Sequence, residues 1–366
     1  MTPDEDRAFY VALSMAPDIG PGRMHRLLRH FGTMGAAWSA SPAAWRDAGL
    51  EPAVAANLER ARGKIDPTKE LARLAKAQIE VLTWADAAFP PLLRQIPSPP
   101  ICLYVRGSMA ASDALGVAIV GTRNATSYGR SVTRRLATDL AANGVTVVSG
   151  LARGIDAVAH RAALESGGRT LAVFGCGLDI IYPAEHRRLA EEVAAQGALI
   201  SEYPLGRQPA ADQFPVRNRL ISGLSLGVVI TESRERSGAL ITAEFAGQQG
   251  RDVFAVPGSI MTRSSAGPHR LIQDGAKLVM NVEDILGELN IHMAGRQAEL
   301  ATAIPMSAEE GRIFEVLDGD PVHVDEISAQ TAIPVQEVSS LLTLMEVRGV
   351  VHAVGALTYA RGRQRD

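Results

Sequence analysis

The chain has 366 residues, of which 46% are apolar, and its 37 basic and 40 acidic residues give a formal net charge of −3 at pH 7. This length allows two or three domains with packed cores, and the apolar fraction argues against a chain dominated by disorder. A slightly acidic chain has no global attraction for a polyanion, so a nucleic-acid site would need basic residues gathered locally.

The cysteines and the N-terminal residues indicate further which classes of protein can be excluded. Cys102 and Cys176 are too few for a four-ligand zinc site and indicate no disulfide framework. The N-terminal stretch MTPDEDRAFYVALSM lacks the basic segment and apolar run of a secretory signal. No apolar stretch approaches the roughly 20 residues that span a bilayer. We therefore expect a soluble, cytoplasmic protein with no metal and no cofactor.

Residues 1–65 are predicted to form a small helical domain. A Gly-Pro-Gly turn at residues 20–22 is followed by apolar residues at helical spacing. The turn resembles a helix-hairpin-helix, whose backbone amides can hold a DNA phosphate, and a plain helical turn explains it equally well. A further helix, PTKELARLAKAQI, leads to a connector with five prolines and then to a short strand, ICLYV.

From Leu115 onward, short apolar runs alternate with helical patterns. The runs are GVAIVG, VTVVSG, TLAVFG, ALISE, LGVVITE and DVFAVPG. Runs that are apolar on both faces and are separated by helices predict a parallel sheet covered on both sides. Residues 66–290 are therefore predicted to form an α/β domain with an extended Rossmann-like, doubly wound, mostly parallel sheet.

The C-terminal part is predicted to be a separate domain. Residues 291–304 have weak periodicity and are predicted to be a linker. Residues 305–366 show three helices followed by two short strands, the pattern of a winged helix. This segment has five basic and ten acidic residues, so phosphates would repel its acidic recognition helix. We favour a protein-contact or regulatory role for it over the reading of a DNA groove.

Ligands of a doubly wound sheet bind outside the carboxyl ends of its strands. The loops that follow the six runs are rich in Gly, Ser, Thr and Arg, whose amides, hydroxyls and guanidinium groups suit phosphate oxygens. The arginines in or near these loops are Arg123, Arg130, Arg153, Arg217, Arg219, Arg234, Arg236, Arg263 and Arg270. Such a row suits a polyanion better than a single phosphate. Phe214 and Tyr203 are candidates to stack on bases, although core packing is the simpler role for Phe214.

Other functions of this fold class lack their motifs. Arg123 stands where a dinucleotide fingerprint needs its second glycine, the second strand ends in Ser149-Gly150 rather than in an acid, and no phosphate-binding P-loop is present. Asp156 and His160 lie four residues apart on a helix with no third ligand at metal spacing. A helix-surface or capping pair is the simpler interpretation for them. The sequence shows no catalytic constellation.

Seven motifs follow one another in the sheet region. They are VGTR, SGLARGIDAVAH, FGCGLDIIYP, ISEYPLG, FPVRNRLISGLS, TESRERSGALITAEFAGQQGRDVFAVPGS and GPHRLIQDGAKLV. In this order they resemble the DNA-processing protein A family, also called DprA or Smf, continuously from about Phe89 to Leu289. The ends of the chain resemble the N-terminal sterile-alpha-motif-like and C-terminal winged-helix domains that some members carry.

The resemblance implies a homodimer that binds single-stranded DNA without catalysis and loads the RecA recombinase onto it during natural transformation. The DNA-binding residues predicted from the motifs and loops are Gly121, Thr122, Arg123, Ser149, Gly150, Arg153, Gly154, Arg187, Arg217, Asn218, Arg219, Ser237 and Gly238. Many members have a basic residue directly after Tyr-Pro, and here Ala184 follows instead. His186, Arg187 or Arg188 would then supply that charge.

An enzyme is the alternative function. The segment SGALITAE resembles related phosphoribohydrolases, which cleave nucleotides with a Gly-Gly-x-Gly-Thr turn and a catalytic acid. Here that turn reads Glu-Arg-Ser-Gly at residues 235–238, which argues against the enzyme. A third interpretation is a sequence-specific regulator acting through the winged helix, which the acidic recognition helix argues against.

Overall fold

The computed structural model describes residues 3–291, 307–317, 321–347, 350–355 and 357–361. It divides into two compact units, Met1–Ile285 and Leu286–Asp366. The N-terminal helices therefore share a unit with the sheet, and the predicted boundaries at residues 65 and 290 stay predictions. Apart from its first residue, the predicted linker at 291–304 lies outside the described residues.

The helices that precede the sheet begin where local sequence favours a start. They are α1 (Pro3–Met15), α2 (Pro21–Phe31), α3 (Met34–Ser39), α4 (Pro42–Asp47), α5 (Pro52–Arg62) and α6 (Pro67–Lys76). Proline fits the first helical position because that position needs no N–H donor. The side chains of Thr33, Ser41 and Asp66 cap α3, α4 and α6 by accepting backbone N–H bonds.

These helices pack onto the sheet region rather than standing apart from it. The Ser14 hydroxyl lies 2.5 Å from the Tyr104 hydroxyl, and the Arg7 guanidinium pairs with Asp86 at 2.8 Å. Tyr10 in α1 belongs to the same buried apolar cluster as Tyr104. Burial of these shared side chains stabilises the helices and the sheet as one unit.

The central sheet contains nine strands among the described residues. They are β1 (Glu80–Thr83), β2 (Cys102–Gly107), β3 (Gly116–Val120), β4 (Thr146–Ser149), β5 (Thr170–Val173), β6 (Ala198–Ser201), β7 (Gly227–Ile230), β8 (Asp252–Ala255) and β9 (Lys277–Leu278). Their order across the sheet is β1-β2-β6-β5-β4-β3-β7-β8-β9. In this order, every neighbouring pair from β6 onward is parallel, whereas β2 is antiparallel to both of its neighbours, β1 and β6. The predicted mostly parallel, doubly wound α/β fold is confirmed.

Helices cover both faces of this sheet, which is why β3 to β7 are buried along their whole length. They are α7 (Pro91–Arg94), α8 (Ser127–Ala142), α9 (Ile155–Glu165), α10 (Arg187–Gln196), α11 (Gln213–Gly223), α12 (Gly238–Gln248), α13 (Ala266–Gln273) and α14 (Val282–Glu288). The chain leaves β3 toward β4, β5 and β6 and later returns to β7 on the other side. The point between β3 and β7 is therefore the switch where such sheets bind ligands.

The second unit contains the predicted winged helix, which is confirmed. Its elements are α15 (Ala308–Val316), β10 (Val322–His323), α16 (Val324–Thr331), α17 (Val335–Val347), β11 (Val351–Gly355) and β12 (Thr358–Arg361), with the strands ordered β10-β12-β11. Ser307 and Glu310 form a capping box at the start of α15. The short strand β10 was not predicted.

The sequence also raises expectations about the cysteines, metal binding and membrane spans. Cys102 and Cys176 are buried free thiols. Within the described ranges, no cluster of three or more His, Cys, Asp or Glu side chains is arranged to hold a metal ion. None of the helices in those ranges has the length and apolar character needed to cross a membrane.

Candidate nucleic-acid interface

A cleft of about 870 Å³ opens at the carboxyl ends of β3 and β7. It therefore lies at the switch point of the sheet. Besides the buried Arg217, three arginines line it, namely Arg123 after β3, Arg234 after β7 and Arg263 before α13. All three are exposed, and none has an ion-pair partner among the described residues.

The turn after β3 needs its glycine. A Cβ on Gly121 would lie 2.6 Å from Cγ1 of Ile155 and 2.8 Å from the carbonyl oxygen of Glu232. The Thr122 amide donates to that same carbonyl at 2.7 Å, and the Ile155 amide donates to the Thr122 carbonyl at 3.2 Å. These bonds tie the turn to the loops after β4 and β7, and Arg123 projects from it into the cleft.

The buried Glu232 carboxylate fastens two walls of the cleft. It accepts hydrogen bonds from the amide and hydroxyl of Thr126 at 2.9 and 2.6 Å and from the Ser264 hydroxyl at 3.0 Å. Gly129 leaves room for it, since a Cβ there would lie 2.2 Å from its Oε2 atom. Because its oxygens are occupied by these donors, the carboxylate orders the loops instead of facing the cleft.

Two aromatic rings stand beside the arginines. The guanidinium carbon of Arg123 lies 5.9 Å from the ring centroid of Phe214, and that of Arg217 lies 5.8 Å from it. The rings of Phe214 and Tyr182 are 5.3 Å apart, and Tyr182 is 46% exposed. Phe214 is half-buried and lines the cleft, so its simpler assignment to the core is wrong. Guanidinium groups over aromatic faces form a surface on which nucleic-acid bases stack.

Arg217 and Asn218 in α11 form the floor of the cleft. The Arg217 guanidinium donates to the carbonyls of Gly150, at 3.0 Å, and Val173. Burial lowers the pKa of this arginine. The Asn218 amide donates to the carbonyl of Gly238 at 3.0 Å. The guanidinium group of Arg217 therefore bonds to backbone carbonyls at the ends of β4 and β5, and its positive charge lies beneath the cleft.

Arg153 and Gly154 lie beside a smaller recess that adjoins the cleft and shares Arg123 with it. Arg153 is exposed and makes a two-point contact with Glu185, at 2.5 and 3.1 Å. This contact lowers the pKa of Glu185 to about 2. Gly154 has φ of +75°, and a Cβ on it would lie 2.3 Å from the carbonyl oxygen of Thr122, so glycine is required there.

The loop after β7 supplies Ser237 and Gly238 to the cleft. The Ser237 hydroxyl lies 2.5 Å from that of Ser233, and it does not cap α12. The first amides of this eleven-residue helix therefore carry their partial positive charge at the edge of the cleft.

Three predicted site residues line neither the cleft nor the recesses that adjoin it. The Ser149 hydroxyl is buried and donates to the carbonyl of Ile119 at 2.7 Å. Arg187 is exposed at the start of α10 and does not line the cleft. Arg219 is buried, pairs with Glu202 and lines a second cavity of about 620 Å³. Since successive helical residues point about 100° apart, Arg219 faces away from the side of α11 that carries Arg217. Tyr203 lines the second cavity as well.

Asp156 and His160 are both buried, so the helix-surface interpretation is wrong for both. Asp156 accepts hydrogen bonds from the amides of Gly150 at 3.1 Å and Ala152 at 3.3 Å, which shapes the loop after β4. The Nδ1 atom of His160 lies 2.7 Å from the Thr170 hydroxyl. Burial lowers the pKa of His160 to about 3, so its ring is neutral at pH 7.

Comparison with known proteins identifies the family. The model for "DNA recombination-mediator protein A" matches residues 80–290, and that for the "DprA winged helix domain" matches residues 297–356. The chain belongs to the DNA recombination-mediator protein A family. Protein Smf of Synechocystis is 33% identical over 395 aligned positions, which cover 98% of this chain and 99% of Smf.

Two solved structures share the fold. DNA processing protein A from Streptococcus pneumoniae is 36% identical with a TM-score of 0.67, over 79% of this chain and 99% of that one. DNA processing protein A from Helicobacter pylori is 32% identical with a TM-score of 0.53, over 60% of this chain and 97% of that one. The latter structure concerns the single-stranded DNA binding mode of the H. pylori protein. The resemblance seen in the sequence motifs is confirmed.

Proposed function

We propose that this protein binds single-stranded DNA in the cleft at β3 and β7 and catalyses no reaction on it. The observation that carries the proposal is the grouping of the exposed Arg123, Arg234 and Arg263 around the rings of Phe214 and Tyr182. Arginines hold phosphates, and aromatic faces stack on bases of any sequence. The family description as recombination mediators and the single-stranded DNA binding of the H. pylori relative support it.

The aromatic rings favour an unpaired strand over a duplex. In a duplex the base faces are stacked on one another, so they cannot lie against Phe214 or Tyr182 unless the strand is opened. An unpaired strand presents its phosphates and its base faces together. A cleft with both guanidinium groups and ring faces therefore stabilises the single strand more.

The binding site that we propose keeps ten of the thirteen residues from the sequence prediction. They are Gly121, Thr122, Arg123, Gly150, Arg153, Gly154, Arg217, Asn218, Ser237 and Gly238. As family properties, we also propose that the protein forms a homodimer and loads RecA onto the bound strand. The winged helix is proposed to contact protein, because its charged residues are mostly acidic.

A binding comparison tests this function. Fluorescence anisotropy would measure the affinity for a labelled single strand and for a duplex of the same length at increasing salt. We expect tighter binding of the single strand at every salt concentration, with affinity falling as salt rises. Equal or tighter duplex binding would contradict the proposal. Release of free base from nucleoside monophosphates would contradict the absence of catalysis.

A further inference from the structure

A loop at the rim of the cleft exposes two neighbouring apolar side chains. Ile260 and Met261 follow β8 and are each 87% exposed, the highest values among the large apolar residues that the structure describes. Burying such side chains is favourable, and adjacent exposed ones mark contact surfaces. Their place in the chain, directly before a cleft-lining segment, indicates what they contact.

The loop holds these side chains in a defined position. The Tyr128 hydroxyl donates to the carbonyl of Pro257 at 2.6 Å, which fixes the start of the loop to α8. The Met261 amide donates to the Ser259 hydroxyl at 3.2 Å, and the Thr262 amide donates to the Ser259 carbonyl at 3.0 Å. These bonds close a turn at the tip. Because the loop is already ordered, binding of a ligand to it would carry only a small entropic cost.

The tip is continuous with the wall of the cleft. The next three residues, Thr262, Arg263 and Ser264, line the cleft, and Ser264 is anchored to Glu232 at 3.0 Å. The Tyr128 ring, 49% exposed, lies at the base of the loop beside Gly258. A strand whose phosphate meets Arg263 would thus pass beside two apolar side chains and an aromatic ring.

We propose that Ile260 and Met261 contact the faces of unpaired bases, next to the Tyr128 ring, while the arginines hold the phosphates. The proposal rests on single-strand binding in the cleft and adds a base contact to it. Isoleucine and methionine are among the side chains that nucleic-acid-binding proteins place between bases, because base faces are apolar. The exposed Arg263 two positions away complements a phosphate chain, which favours nucleic acid over an apolar protein surface.

An abasic strand isolates this contact. Anisotropy would measure binding of the I260S/M261S double variant to an oligodeoxythymidylate and to a strand of the same length and charge made of tetrahydrofuran abasic units. We expect the variant to bind oligodeoxythymidylate roughly five- to tenfold more weakly than wild type, the effect of losing one stacking contact. Binding to the abasic strand and the salt dependence should be unchanged, since no charge is removed. Both residues are exposed, so the variant should keep the thermal unfolding midpoint of wild type.

The controls separate this proposal from the proposed function. Val354→Ser removes an apolar side chain of the second unit, 53% exposed in β11, and should leave both affinities unchanged. If I260S/M261S binds oligodeoxythymidylate like wild type, or weakens on both strands equally, the base contact is refuted even where wild type prefers single strands. A lowered oligomeric state of the double variant in sedimentation would assign the tip to a protein contact and also refute it. If the wild-type protein binds neither strand, the proposed function itself is refuted.

Discussion

Replacing Arg123 by alanine tests the phosphate contacts of the cleft. Three exposed arginines line the cleft, and each phosphate contact on a single strand contributes about 0.7 to the slope of log affinity against log salt. If each arginine holds one phosphate, wild type should have a slope of about −2.1 and Arg123→Ala a slope of about −1.4. The Phe214 ring remains in the variant, so stacking on bases should persist.

These slopes translate into measurable affinities. Raising salt from about 50 mM to about 200 mM should weaken wild-type binding about eighteenfold and weaken Arg123→Ala about sevenfold. The variant should therefore bind much more weakly than wild type at low salt and approach it as salt rises. Anisotropy titrations with an oligodeoxythymidylate at four or more salt concentrations give both slopes directly.

A matched variant shows whether position or only charge matters. Arg135 lies on α8, is 70% exposed and pairs loosely with Asp139 at 3.8 Å. Arg135→Ala removes the same charge outside the cleft and should keep the wild-type slope. A phosphate contact by Arg123 is refuted if the slope of Arg123→Ala equals that of wild type, or if the slope of Arg135→Ala is reduced as much as that of Arg123→Ala.

Three further substitutions have expected outcomes. Glu185→Gln removes the carboxylate that occupies Arg153, so single-strand affinity should rise at low salt and the slope should steepen by about 0.7; an unchanged titration would contradict this. Gly129→Ala places a Cβ 2.2 Å from Glu232 and should lower the free energy of unfolding by about 1–3 kcal/mol in urea, whereas unchanged stability would show that the carboxylate can move. Burial lowers the pKa of His160 to about 3 in the folded protein, below its unfolded value of 6.5. The stability that this neutral histidine contributes is therefore fully present above pH 6.5. As the pH falls from 6.5 toward 3, the free energy of unfolding should decrease by up to about 1.4 kcal/mol per pH unit. Urea unfolding of wild type and His160→Asn at several pH values should show their difference shrinking on acidification, and a constant difference would refute it.

The central strands could be predicted because each carries its own signal. The runs of β3 to β8 are apolar on both faces and end in loops rich in glycine and polar residues, so their type, order and shared edge followed from sequence. Strand β9 has two residues, both exposed, and carries no apolar run. It exists because β8 offers a partner in register, with Phe254 opposite Lys277, which is a tertiary cause that local sequence does not show.

The site residues were predictable by loop but not by direction. Arg217 and Arg219 look equivalent in FPVRNRLISG, and only the packing of α11 decides that one lies under the cleft and the other pairs with Glu202 in the second cavity. Arg153 looks available in sequence, but its partner Glu185 lies 32 positions later. Tyr182 was missed, although an aromatic residue in the loop after β5 could have been considered as a stacking residue.

An acidic protein can bind a polyanion when the acids nearest its arginines are buried and accept hydrogen bonds from the surrounding backbone and hydroxyl groups. Both oxygens of the buried Glu232 are bonded to amides or hydroxyls of the loops around the cleft. The buried Asp156, in the first turn of α9, lines the cleft, and its Oδ2 atom accepts from the amides of Gly150 and Ala152. These hydrogen bonds order the turns that present Arg123 and Arg263. Glu185 remains exposed and competes for an arginine at the edge of the cleft. The electrostatic character of the cleft therefore follows from which carboxylates the loops bury, and the net charge of the chain does not report it.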